Sequence, residues 1–215
     1  MEVFSPKVLF YLEHRKQIEE WAKIRSQASD EMHRWLSSWA EVMEESDLDG
    51  DRRFFAHTEG TNSPKIFWYR KEWQARPEHV GETGRPLSHT GIGFEWHRNN
   101  PHGKRGLHAG IFVQRRIGPD KNQTLQNEVE NLVNDAPAHA GSRKWWPYYE
   151  FLEPVSEVVS ERVQSSDTPY EPEDLDEVLK EYRNQQIQLI EDLWGRYADR
   201  VSEAVARAYP PPSVT

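Results

Sequence analysis

The 215-residue chain contains no cysteine. That single absence excludes a disulfide framework, a thiolate nucleophile, a Cys-type zinc site and an iron–sulfur cluster. Sustained hydrophobicity is also lacking. Mean hydropathy is −0.91, and no segment approaches the ~18 consecutive apolar residues of a membrane span. The opening MEVFSPKVLFYLEHRK has only a short apolar run, followed by charges and no small-residue cleavage site. No secretory signal is expected there, and the expected compartment is the cytoplasm. Positive charge is in deficit: 27 Lys and Arg stand against 36 Asp and Glu, giving −9 and a pI near 5.5. A global basic field of the kind non-specific nucleic-acid binders use is therefore excluded. Internal repeats and low-complexity tracts are missing too.

What the chain does have is aromatic mass. Nine tryptophans and a 12% aromatic content concentrate the apolar surface in few, large side chains, which argues for a folded, aromatic core. At 25.3 kDa one domain spanning 1–215 can bury that core without staples. The acidity is uneven. Residues 1–46 carry six basic and nine acidic side chains, and residues 166–215 carry five and eleven. Residues 47–165 balance at sixteen of each. The excess negative charge thus belongs to the two ends.

Both ends read as helix. Leu9, Leu12, Ile18, Trp21, Ile24, Met32, Trp35, Leu36, Trp39 and Met43 recur at three- and four-residue steps. Ser5-Pro6 supplies an N-cap and a first-turn proline. Periodicity allows one helix or two broken near Ser26–Asp30. A second long helix, about Asp174 to Ala208, carries Leu175, Val178, Leu179, Tyr182, Ile190, Leu193, Trp194, Tyr197, Val201 and Val205 on one stripe. Between them the period changes. Residues 65–70, 91–97 and 107–114 are strands by composition. The last two flank Arg98–Gly106, with its Asn-Asn-Pro and two glycines, so a hairpin is expected. Residues 74–90 read as loop, 122–135 as a short helix, 144–154 as a further strand or packed loop, and 164–173 as a polar linker. The expected fold is α+β: an antiparallel sheet region over 60–160, packed against long N- and C-terminal helices.

Common catalytic signatures are missing. No G-x-S-x-G, P-loop, G-x-G-x-x-G or H-E-x-x-H motif occurs. Asp47-Leu-Asp49-Gly-Asp51 begins like a calcium loop, but Arg52 and Thr58 occupy the positions that need Gly and Glu. The hairpin is more informative. By alternation, Ile92, Phe94 and Trp96 share one face of their strand, and Glu95 and His97 the other. With His108 on the next strand, the two imidazoles and the carboxylate suit a divalent metal or acid–base chemistry. The plainer reading is a solvated outer sheet face. Glu95, His97 and His108 are the catalytic candidates if the protein is an enzyme, with a divalent metal such as magnesium as cofactor. Otherwise no cofactor is expected.

Around the hairpin lies a basic cluster of Arg98, Lys104, Arg105, Arg115 and Arg116. A second basic–aromatic spot follows at Arg143-Lys144-Trp145-Trp146. Basic residues beside exposed aromatics hold single strands by phosphate contact and stacking. Against this, nine tryptophans in so polar a chain must also supply its core, Trp145 and Trp146 included.

Lys65–Arg70, Thr90-Gly-Ile-Gly-Phe-Glu-Trp96, Leu107-His-Ala-Gly-Ile111, Lys144-Trp-Trp-Pro-Tyr-Tyr149 and the long terminal helix occur in that order. Together, over about residues 60–205, they resemble the C-terminal region of bacterial PD-(D/E)XK nuclease-like proteins. The resemblance implies a link to phage, mobile-element or defence biology. It carries no active site across, because that motif needs Asp/Glu-X-Lys to hold magnesium. None of the nine lysines has an acid two positions before it, and the nearest variant is Glu95-Trp96-His97.

The leading expectation is a non-enzymatic interaction module, binding a protein or nucleic acid through the basic hairpin. The alternatives are a metal-dependent nuclease or phosphodiesterase, and a pocket sequestering an anionic nucleotide. No membrane partner is expected. The C-terminal helix permits a dimer but serves an intrachain core equally well.

Overall fold

A computed structural model of the chain describes residues 4–46, 51–74, 90–113, 119–133, 141–143, 146–165 and 172–210. The architecture is α+β. In chain order the elements are α1 (Pro6–Glu45), β1 (Arg52–His57), β2 (Lys65–Arg70), a 3-10 turn (Lys71–Trp73), β3 (Thr90–Trp96) and β4 (Leu107–Val113). Then follow α2 (Pro119–Leu132), β5 (Gly141–Arg143), β6 (Trp146–Phe151), α3 (Val155–Ser165) and α4 (Pro172–Ala208). The strands form one antiparallel sheet in the order β1-β2-β3-β4-β6-β5.

The N-terminal helix is a single element of 40 residues. Ser5 and Pro6 start it as expected, although the Ser5 carbonyl rather than its hydroxyl meets the first turn, accepting from the amides of Val8 and Leu9. No break occurs near Ser26–Asp30, because nothing in that stretch removes a backbone donor or frees the chain as Pro or Gly would. The edge strands β1 and β5, the 3-10 turn and the helix α3 go beyond the sequence reading. The turn at 47–50 and the loop at 75–89 lie outside the described residues.

The helices cover one sheet face. Ile66, Trp68, Ile92, Phe94, Trp96, Ala109 and Ile111 point from the strands into a core completed by Leu36, Trp39 and Met43 of α1. Ile190, Trp194, Tyr197 and Val201 of α4 join the same core. Trp39 stands edge-on to Phe94, ring centroids 5.3 Å apart, and Trp68 edge-on to Trp194 at 6.2 Å. Buried indoles need acceptors for their N–H. Trp68 donates to the Met43 carbonyl at 2.9 Å and Trp73 to the Ser202 hydroxyl at 2.7 Å. Arg70 ties β2 to α4 through Asp199 at 2.8 Å.

The opposite face departs from the solvated surface that alternation suggested. Phe67, Phe112 and Trp146 form a second buried cluster there, with Phe55, Tyr69 and Tyr149 packed beside it. The reason lies in the glycines. Gly93 and Gly110 are paired across β3 and β4. A Cβ at Gly93 would strike the Ile66 carbonyl and the Phe67 backbone, and one at Gly110 the Tyr148 carbonyl. Their bare floor lets the neighbouring strands and their aromatic rings close over the sheet centre.

Trp21 is a correction of another kind. Its helical spacing suggested core, yet it is 67% exposed, as are Phe10 (59%) and Leu9 (53%). Only the second half of α1, from Ser29 to Met43, is buried.

Candidate functional site

The hairpin register places Glu95 directly opposite His108. The imidazole Nε2 lies 3.8 Å from one carboxylate oxygen, and Lys65 Nζ, from the β2 position also opposite Glu95, lies 3.3 Å from the other. Lys65 is the member that sequence reading missed. Its only signal was the strand register, which no spacing within one segment reveals. The trio sits at the margin of the aromatic face. His108 is edge-on to Trp146 (4.8 Å), Tyr149 (5.7 Å) and Phe151 (6.0 Å), and the Lys65 ammonium stands 5.4 Å from the Phe112 ring. His108 is buried and Glu95 half-buried.

His97 stays outside this cluster. β3 ends at Trp96. His97 begins the turn, its amide donating to the Gly106 carbonyl at 2.7 Å, and its side chain is exposed. Among the described residues no group of three or more His, Asp or Glu side chains is disposed to hold a metal ion. What the geometry offers is a carboxylate clamped between a lysine and an imidazole under aromatic cover. Such a group ties three neighbouring strands together.

The turn Arg98–Gly106 is braced. Asn100, Gly103 and Gly106 donate their amides to His97, Asn100 and Gly103 in succession. Arg98 N–H donates to Asn62 in the β1–β2 loop at 3.1 Å. The Ser29 hydroxyl of α1 donates to the Asn99 carbonyl at 3.4 Å, and the Ser156 hydroxyl of α3 to the His102 carbonyl at 3.3 Å. A turn held from three sides presents its side chains in fixed directions.

Those directions diverge. Arg98 is half-buried and lines a polar cavity of about 500 Å³ with Gln27, Asp30, Glu31, His33 and Arg34. Lys104 is exposed and reaches Glu157 of α3 at 3.6 Å. Arg105 is exposed, its guanidinium 5.9 Å from the Phe151 ring. Among the described members, the exposed ones are Lys104 (already paired with Glu157), Arg105 and His97. Arg115, Arg116 and Trp145 lie outside the described residues. Trp146 is 2% exposed within the second aromatic cluster, so it offers no open stacking platform.

Behind the turn, His33 accepts the Trp96 indole N–H on Nδ1 at 3.1 Å. Burial holds its pKa below the ordinary imidazole value, and the Arg98 charge adds to this against Asp30 and Glu59. A neutral imidazole is what the indole donor requires.

No protein-family model matches the chain. No curated protein and no solved structure matches it either. None of the helices, among the described residues, is long and apolar enough to cross a membrane.

Proposed function

We propose that the chain is a non-catalytic interaction module whose basic hairpin turn engages an anionic surface of a protein or nucleic-acid partner in the cytoplasm. The observation that carries this reading is the braced turn, which fixes His97, Lys104 and Arg105 outward on a rigid scaffold. Preorganisation lowers the ordering cost of binding. The resemblance to nuclease-like bacterial proteins supports a setting in defence, phage or mobile-element biology.

The test is binding of oligonucleotides and of partners captured from a native host extract as a function of salt. Lys104→Glu with Arg105→Glu should weaken an anionic partner by about tenfold or more and flatten the salt dependence by up to about two contacts. Unchanged binding by this double variant refutes the reading.

One observation favours a second reading. The Glu95–His108 contact could serve acid–base chemistry in a metal-dependent nuclease or phosphodiesterase. Cleavage of DNA or RNA that needs a divalent metal and disappears in Glu95→Ala would establish it. The third option, a pocket for an anionic nucleotide, would need Arg98 to turn out of its cavity and join Lys104 and Arg105.

A further inference from the structure

The first half of α1 carries large apolar side chains with no described element against them. Val8-Leu-Phe-Tyr-Leu12 is apolar on every side of the helix, and Val8 to Leu12 are all exposed. A helix that is apolar all round is one that becomes covered. Farther along, Ile18 and Trp21 continue the apolar stripe, and Trp21 is the most exposed of the described large apolar residues.

The molecule also holds a surface for such a tip. An apolar groove of about 350 Å³ lies where α1 meets α3 and the start of α4, lined by Ala28, Met32, Val155, Val159, Leu175 and Leu179. The tip cannot reach the groove of its own chain. The helix is continuous from Pro6 to Glu45, and Leu12 is separated from Ala28 by about 24 Å of rise.

We propose that residues 4–28 of α1 pair antiparallel with the same segment of a second copy, each tip seating on the groove of the other. Centring the pair between Gln17 and Ile18 sets Phe10 of one copy against Arg25 of the other. His14 then meets Trp21, and Lys7 lies beside Ala28 at the groove mouth. The arrangement is a two-fold, self-complementary contact that closes on itself. Charge agrees with it. Residues 4–28 carry five basic and three acidic side chains. The groove walls, 155–162 of α3 and 175–183 of α4, carry five acidic and three basic. In this register the arms lie along each other, and the tip meets the acidic walls through Lys7, with Glu157 already shared with Lys104. A 25-residue helix gives a strip about 37 Å long, and with the groove this approaches the ~800 Å² per partner of a stable complex. The groove meets the hairpin turn at His102 and at Glu157, the partner of Lys104, but Phe10, Ile18 and Trp21, which the test alters, lie on neither, so failure of this contact and failure of the function proposed above are distinguishable.

The experiment is sedimentation equilibrium of the full chain over a wide concentration range, combined with engineered cysteines. Because the chain has no cysteine, each introduced thiol is the only one. The wild type should show twice the chain mass. Phe10→Glu with Trp21→Glu should raise the dissociation constant by at least about thirtyfold. Circular dichroism and melting of the dilute variant should match the dilute wild type, since these side chains touch no core. Ile18→Cys should form a linked dimer under mild oxidation, and Lys23→Cys, on the far side of the helix, should not. A chain that stays monomeric throughout overturns the proposal, whether or not it floats with lipid vesicles. Equal cross-linking at positions 18 and 23 also overturns it, as does a dimer that survives the double glutamate variant.

Discussion

The two halves of α1 share one helix, one spacing and similar side chains, yet only one half is buried. Between Ser29 and Met43 the stripe meets the sheet: Leu36, Trp39 and Met43 are at most 1% exposed. Between Phe4 and Ile24 the large apolar residues are exposed by 39% to 67%, apart from half-buried Ile18. The difference teaches that an apolar period states a demand for a covering surface. It does not say whether the same chain supplies it.

Matched substitutions sharpen that contrast. Trp39→Ala should cost about 3–5 kcal/mol of unfolding free energy, because it empties a site walled by Trp35, Phe94 and Tyr182. Trp21→Ala in dilute solution should stay within about 0.5 kcal/mol. Urea unfolding of both variants checks the pair, and equal losses would break the comparison. Hydrogen exchange gives the next effect. In dilute solution amides from 33 to 43 should exchange at least about 100-fold more slowly than those from 9 to 24, since only the former are tied to the core. Raising the protein concentration should protect the latter if the arms pair.

The smallest effect is a pH dependence at the boundary between the halves. Folded His33 resists protonation, so its pKa lies below the ordinary 6.5. As pH falls below that value the unfolded chain takes up a proton that the folded chain does not, and stability declines. Above 6.5 the residue contributes no slope. His33→Asn keeps an acceptor for the Trp96 indole and should remove this part of the acid sensitivity. An unchanged pH profile of the unfolding midpoint would refute the assignment.

The parts legible in sequence were those governed by local rules. The β3–β4 hairpin followed from alternation and a turn rich in Asn, Pro and Gly, and the α4 stripe from its 3.6-residue period. Residues 144–154, read as a strand or packed loop, contain β6. The missed parts depend on neighbours. β1 was hidden by its charge, since Arg52-Arg-Phe-Phe-Ala-His57 reads as neither face of a core strand, and an edge strand tolerates that. α3 carries valines broken by serines and glutamates, too short a run to show a period. The aromatic second face escaped because β3 offers only glycines there beside Glu95, while the rings come from β2, β4 and β6. At the candidate site, Glu95 and His108 were legible as facing positions, but Lys65 entered only through strand pairing. The divergence of Arg98 from Lys104 and Arg105 came from the way α1 and α3 grip the turn.

The position of Tyr182 has a consequence for how the chain assembles. Its ring lies 6.2 Å from both Trp35 and Trp39, so the core joins residues nearly 150 positions apart in sequence. The β1–β2 and β3–β4 hairpins need only short connections and are expected to form early, while closing the longest loop is slow. During synthesis at the ribosome, Trp35 and Trp39 would stay open to solvent until α4 has emerged, and this interval is when a nascent chain is most exposed to aggregation.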